Sequence, residues 1–279
     1  MVRRVLQRGF TLIEMAIVTV IIGLLLSGSL LAVSPVIQGS KVTDTNARLD
    51  RIEQALTVYV IQNGCLPCPA PSGTASSNAA AGWSSAVGLA PYGPGNTTNN
   101  QPCAAPTGTG CTTIQGVVPW NTLGMSESDA TDAWNNRISY AVSGDASSAT
   151  NNNLVLTQSS SMVRTGTTYP AGVLIVQNTS ATQQTSAAAY ILISHGPDGA
   201  FGYSATTGTG PHTGQYSFAG TSTGRNDPST HTAGSVTNPF TQGDYVPTAS
   251  NAHFDDQVRW RTAPLIIQSC GTGVCGNGL

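Results

Sequence analysis

The sequence is short of charge. Only 9% of its 279 residues are Asp, Glu, Lys or Arg, against about a quarter in an ordinary soluble domain. Eleven basic side chains against thirteen acidic ones leave a formal net charge of −2. Phosphate neutralisation needs clustered Lys and Arg, so a nucleic-acid binder working through a basic surface is excluded and no nucleic-acid partner is expected. The same scarcity argues against disorder driven by charge. Signatures of metal, redox and hydrolytic chemistry are missing too. None of His195, His212, His231 and His253 sits in an H-E-x-x-H or H-x-E pattern. Cys65-Leu-Pro-Cys68 is followed by Pro69, not His, which excludes haem attachment. This C-x-x-C also follows a predicted helix end instead of opening a helix, the setting that activates a thiol. The cysteine spacings are too irregular for a zinc site of two cysteine pairs. Gly220-Thr-Ser222-Thr-Gly224 matches G-x-S-x-G, but inside a low-complexity stretch with no strand-to-helix turn to hold a nucleophile. Without a credible catalytic set, a non-enzymatic role with no cofactor is expected.

What is present begins at the N-terminus. Arg3, Arg4 and Arg8 precede an apolar run, and no charge occurs between Glu14 and Lys41. A membrane helix needs about 20 apolar residues, and this gap is long enough. The basic flank orients the N-terminus to the cytoplasm and the C-terminal bulk outward. A secretory signal has a similar outline. Glu14 separates the two readings, because an acid inside an apolar block costs roughly 2.5–3.5 kcal/mol on insertion scales and calls for a cationic partner. Cleavage after Gly9 would supply one, the new α-amino group of Phe10, within the chain or on a neighbouring copy.

Arg8-Gly9-Phe10-Thr11-Leu12-Ile13-Glu14 resembles the leader junction and first mature residues of type IV pilins and type II secretion pseudopilins. That resemblance implies cleavage between Gly9 and Phe10 by prepilin peptidase, N-methylation of Phe10, and assembly into a filament through bundled N-terminal helices, with Glu14 as the assembly residue. It implies other pilin or pseudopilin subunits and an inner-membrane assembly platform as partners. It also implies a single-pass inner-membrane stage before a periplasmic or cell-surface filament. Cleavage leaves eight basic side chains against thirteen acidic ones, so the exported part is mildly acidic.

The apolar run, interrupted by Gly23, Gly28, Pro35 and Gly39, gives way after Lys41 to Leu49, Ile52, Leu56, Tyr59 and Val60 at three- and four-residue spacing. This is an amphipathic helical pattern, and Asn63-Gly64 is a suitable stop. The expected organisation is a leader at 1–9, a transmembrane or filament-core helix at 10–40, its amphipathic half at 41–63, and a globular head at 64–279. In the head, Ile138–Val142, Leu154–Leu156, Val173–Val176, Tyr190–Ile193 and Val258–Thr262 have strand length and composition. Ser126–Trp134 reads as a short helix capped by Ser126. Low-complexity stretches at 72–81, 97–110, 146–153 and 206–234 read as long loops. Helix followed by strands predicts an α+β fold, with a long N-terminal helix packed on an antiparallel sheet.

Three head segments extend the resemblance. Asp132-Ala-Trp134-Asn135-Asn136-Arg137-Ile-Ser-Tyr140 is similar to a D-x-W-x-N-x-x-x-Y segment of pseudopilin heads. Ser194-His195-Gly-Pro-Asp198-Gly199 and Asp255-Asp256-Gln-Val-Arg-Trp260 are similar to their S-x-G-x-D-G turn and terminal D-D-I-x-x-W. In the major pseudopilin that neighbourhood binds calcium, which makes Asp198, Asp255 and Asp256 the hard-oxygen candidates here. An Asp-Gly pair also forms turns, and turn- or strand-capping is the plainer reading of these acids. The stretch from Phe201 to Asn251 is far longer than in a compact pseudopilin. The six cysteines, Cys65, Cys68, Cys103, Cys111, Cys270 and Cys275, all follow the apolar segment, and an even number in an oxidising compartment predicts disulfides with the connectivity open. The functional expectation is a structural subunit of a type IV pilus or type II secretion pseudopilus, a minor pilin or pseudopilin. Its rival is a pilus-tip adhesin whose loop-rich head contacts a surface or ligand.

Overall fold

A computed structural model describes residues 11–63, 66–84, 115–143, 174–205, 207–210, 226, 239–244 and 254–269, with the backbone alone at 25–36, 263, 267 and 269. The chain divides into two compact units, Met1–Thr43 and Asp44–Leu279. Helix α1 runs Leu12–Asn63 and is assigned as helix through Gly23, Pro35 and Gly39. Its end follows the expected stop, where the Asn63 side-chain amide also donates to the Tyr59 carbonyl, one turn back, at 2.8 Å.

The architecture is α+β. The principal sheet contains β1 (Gln115–Val117), β3 (Ser139–Val142), β5 (Gln183–Ser194), β4 (Leu174–Asn178) and β7 (Phe240–Gln242) in that order, with β8 (Gln257–Thr262) paired to β5. A second small sheet pairs β2 (Asn136–Arg137) with β6 (Tyr203–Ser204). Strand β5 organises the whole. Its first half pairs with β4, its second half with β3, and β8 pairs along Ala188–Ser194. Ala188 is partner to both Leu174 and Thr262, so β4 and β8 flank opposite edges of β5.

The sheet is covered on both faces. Tyr140, Val142, Tyr190 and Leu192 join Leu49, Ile52, Leu56 and Val60 of α1 in one core. Ala141, Ile191 and Ile193 point the other way and join Leu174, Phe240, Phe254 and Val258 in a second. Successive residues of a strand face opposite sides, so a strand buried on both faces reads as an unbroken apolar run, which is what Tyr190–Ile193 does.

Two expectations need correction. The sheet is mixed, because β4 and β7 pair in parallel from Val176↔Phe240 to Asn178↔Gln242. The chain returns to β4 only after the long connection that follows β6, and a long connection is what parallel pairing requires. The segment Ser126–Trp134 forms turns, not a helix. Ser126 does act as the local cap: its hydroxyl accepts from the Asp129 amide at 3.4 Å and donates to the Asp129 carboxylate at 2.6 Å. The chain is then drawn away from helical bonding: Thr131 bridges Arg137, and the Ile138 amide donates to the Ala130 carbonyl at 2.9 Å. The strand expected at 154–156 and the loops at 97–110 and 146–153 lie outside the described residues.

Candidate functional site

Two regions bear on function, the start of α1 and the buried polar end of the sheet. At the start of α1, Thr11 and Glu14 form a reciprocal cap. The Thr11 amide and hydroxyl donate to Glu14 Oε2 at 2.8 and 2.9 Å, and the Glu14 amide donates back to the Thr11 hydroxyl at 3.3 Å. This is the capping box, in which side chains of the first turn satisfy amides that no helical carbonyl can reach. Thr11 is a residue the sequence reading passed over, although its T-x-x-E spacing carried the signal. Beyond the cap, the helix presents large apolar side chains outward: Leu12, Ile13, Met15, Ile17, Val20 and Leu24 are all exposed. Among the described residues no helix is long and apolar enough to cross a membrane. The side chains of 25–36 and the processing residues Gly9 and Phe10 lie outside the described residues.

In the head, the predicted turn and acids converge on the end of β5. Asp132 is buried and saturated: Oδ1 accepts from the Trp134 and Asn136 amides at 2.9 and 2.8 Å, and Oδ2 from the Ser194 hydroxyl at 2.8 Å. Burial still raises its pKa against those bonds. Asp256 is raised well above the ordinary carboxylate range, chiefly by burial and further by Asp255, Asp198 and Asp132. The Asn226 amide opposes that rise by donating to Asp256 Oδ2 at 2.7 Å, and the same side chain holds Thr241 of β7 through both its carbonyl and its amide. Asp256 Oδ1 lies 3.9 Å from His195 Nδ1, and His195 Nε2 is 2.7 Å from the Ser139 hydroxyl. Gly196, at φ +61°, takes the turn between them, where a Cβ would stand 2.5 Å from the Asp255 carbonyl oxygen.

The predicted acids are therefore brought together, and each gives one oxygen to a protein donor. Asp255 Oδ2 accepts from the Asp198 amide at 3.2 Å, and Asp198 Oδ1 from the Ala200 amide at 2.9 Å. Among the described residues no group of three or more His, Cys, Asp or Glu side chains is arranged to hold a metal ion. Two of the three acids cap turns, Asp198 at Ala200 and Asp255 at Asp198. The Ser139–His195–Asp256 line has the order of a hydrolytic triad, yet Ser139 is 5% exposed and His195 fully enclosed. Such a line ties β3 to the turn that follows β5 and to the chain entering β8.

A second buried cluster went unread in the sequence. Every donor of the Arg137 guanidinium is engaged: Glu127 takes two bonds at 3.0 and 2.7 Å, the Ser76 hydroxyl one, and the Ser72 and Thr74 carbonyls one each. Its carbon lies 5.0 Å from the Trp120 ring centroid. The strap at 72–76 is thereby fixed to the head by a residue 61 to 65 positions later. Among the described residues no cysteine is free, and Cys68 is buried. Cys65, Cys103, Cys111, Cys270 and Cys275 lie outside the described residues, as do His212, His231, His253 and the stretch 220–224.

No curated protein and no solved structure matches the chain. A family model does, over residues 4–30, and its description is the prokaryotic N-terminal methylation motif. The capped, outward-facing apolar helix at Leu12–Leu24 lies within that match, and the chain thus carries the prepilin-type motif of type IV pilins and pseudopilins, which implies processing by prepilin peptidase and assembly with other pilin subunits.

Proposed function

We propose that the protein is a non-enzymatic filament subunit of the minor pilin or pseudopilin kind. It is held in the inner membrane by residues 10–40 with its N-terminus cytoplasmic, is cut between Gly9 and Phe10, and is then passed by an inner-membrane platform into a periplasmic or cell-surface filament. The observation that carries this reading is the methylation motif at 4–30 on a helix whose apolar side chains face outward. Such a surface finds the same kind of surface on neighbouring helices when it leaves lipid. Glu14 supplies the register. A carboxylate in apolar surroundings is stable only beside a cation, and the amine created at Phe10 of an adjoining subunit is the cation that processing generates. The six cysteines serve as disulfides that staple a head poor in ion pairs and rich in loops.

The test is mass spectrometry of the mature N-terminus, together with localisation of the chain in sheared filaments. An N-methylated Phe10 on chain recovered from filaments is the expected result. A mature start near Ser34 would mean ordinary signal-peptide cleavage and would end this reading.

A further inference from the structure

The tip of the hairpin between β4 and β5 holds a triplet that the fold uses only in part. Asn178-Thr179-Ser180 has the N-x-S/T pattern that accepts an asparagine-linked sugar on the surface of a secreted chain. Asn178 ends β4 and Gln183 opens β5. The Asn178 amide donates to the Thr182 carbonyl at 2.8 Å, and the Ala181 amide donates to the Asn178 carbonyl at 3.0 Å. Ala181 takes φ +60°, the left-handed step that closes so short a loop. Strand β7 pairs with β4 as far as Asn178↔Gln242, so the triplet begins where that ladder ends. Thr179 and Ser180 are both exposed. A second such triplet, Asn96-Thr97-Thr98, lies outside the described residues.

The turn explains the asparagine oxygen and nothing more. Asn178 Oδ1 accepts from the Ser180 and Thr182 amides at 3.0 and 2.8 Å, the bonding by which Asn and Asp side chains alike build turns. An aspartate would serve this turn equally well. Among the described residues, Asn178 Nδ2 and the hydroxyls of Thr179 and Ser180 make no bond to the chain. The fold therefore grips the carboxamide by its oxygen and leaves open the nitrogen and the hydroxyl two residues on, the two groups that the acceptor pattern requires. Two amides bonded to Oδ1 also polarise the carboxamide, which makes a proton on Nδ2 easier to remove.

We propose that Asn178 is a glycosylation site, modified on Nδ2 by a sugar from a diphosphate-activated donor. The bond formed joins Nδ2 to the anomeric carbon of the sugar. The bond broken joins that carbon to the donor diphosphate, which leaves with its electron pair, and the amide proton passes to a base of the transferring enzyme. The test is mass spectrometry of the peptide spanning Asn178, taken from the full chain purified from its producing cell. That peptide should carry the added mass of one or more sugar residues. Asn178→Asp keeps the turn oxygen and removes the acceptor nitrogen, while Ser180→Ala keeps the turn amide and removes the hydroxyl. Each should abolish the added mass and leave the melt of the head unchanged, and Ser180→Thr should retain the mass. Blocking the polyprenyl-phosphate carrier identifies the donor: loss of the added mass means a lipid-linked sugar and persistence a nucleotide-linked one, and both results support the site. An unmodified Asn178 in the parent, or an added mass that survives Asn178→Asp or Ser180→Ala, would overturn the assignment. A mature chain that does not begin at Phe10 would overturn the filament reading and leave this site standing.

Discussion

Glu14 and Thr11 share one cap, yet they carry different burdens, and substitution separates them. Thr11→Ala removes a capping hydroxyl worth about 0.5–2 kcal/mol to the helix start. An exposed first turn that frays at little cost takes the low end of that range, and because each 1.4 kcal/mol is a factor of ten, recovery of the chain in sheared filaments should stay within about threefold of wild type. Glu14→Ala removes the cap and also leaves the neighbour's amine without its partner in apolar surroundings. Breaking a desolvated pair costs about 3–5 kcal/mol, so recovery should fall more than about tenfold. Equal recovery of the two variants would show that Glu14 is only a cap. In the head, Asp132 sets a pH dependence of unusual sign. Burial holds its folded-state pKa above the value of about 3.9 that the open chain has. Its stabilising contribution is complete below that value and drains away as pH rises through the raised one. Asp129 works in the opposite sense, since the Ser126 hydroxyl holds its carboxyl low. Asp132→Asn keeps an oxygen for the Trp134 and Asn136 amides and removes the charge. Urea melts from about pH 4 to 7 should show a smaller loss of stability with rising pH in the variant than in the parent. Identical slopes would mean that the carboxyl stays ionised throughout.

At the scale of elements, α1 is fixed to the sheet by one apolar stripe and a polar fringe. Leu49, Ile52, Leu56 and Val60 are 0–1% exposed. Along their flanks Arg48 donates to the Ser128 and Thr131 carbonyls, Thr45 accepts from the Ala133 amide, and Arg51 pairs with Asp129 at 2.6 Å. Exposed ion pairs of this kind contribute about 1 kcal/mol at most, so the stripe dominates. Leu56→Ala should cost about 2–5 kcal/mol in a chemical melt, and Arg51→Ala less than about 1; the reverse ranking would mean that charge, not packing, holds the helix. The stripe was legible in the sequence because a period of 3.6 is strong over several turns. Strand β5 was legible only in its apolar half. Its first residues, Gln183–Ala187, are polar or small and partly exposed, and nothing in their order separates them from a loop. The strands β1, β6 and β7 have two or three residues each, too few for alternation to register. Helix α2 (Ala263–Ser269) did carry a sign, Pro264 in its first turn, where the missing amide costs nothing. The turn at 126–134 misled because its cap was real while its continuation depended on Arg137 and Ile138, later residues that no local pattern reveals.

For the whole molecule, the prepilin-type motif was readable in seven residues, Arg8–Glu14, and the head had no part in it. What the head adds was hidden for a physical reason. A buried network such as Asp132–Ser194 or Asp256–Asn226 joins residues 30 to 62 positions apart, and each partner alone is an ordinary polar residue. The division at Thr43/Asp44 makes the head a compact unit of its own. A chain starting at Asp44 and exported behind an ordinary secretory signal should therefore melt in one cooperative step within a few degrees of the full protein; a broad, non-cooperative melt would show that the first 43 residues take part in the fold. Export gives one contact a further meaning. Glu53 meets Arg261, a residue 208 positions later. On the proposed export route the greasy helical stripe has no sheet to close upon as it emerges from the membrane, and this clasp forms only when 208 more residues have come through. The nascent subunit thus spends that long stretch of its passage as an open half-structure, a natural client for a periplasmic holdase and a natural target for proteases whenever translocation stalls.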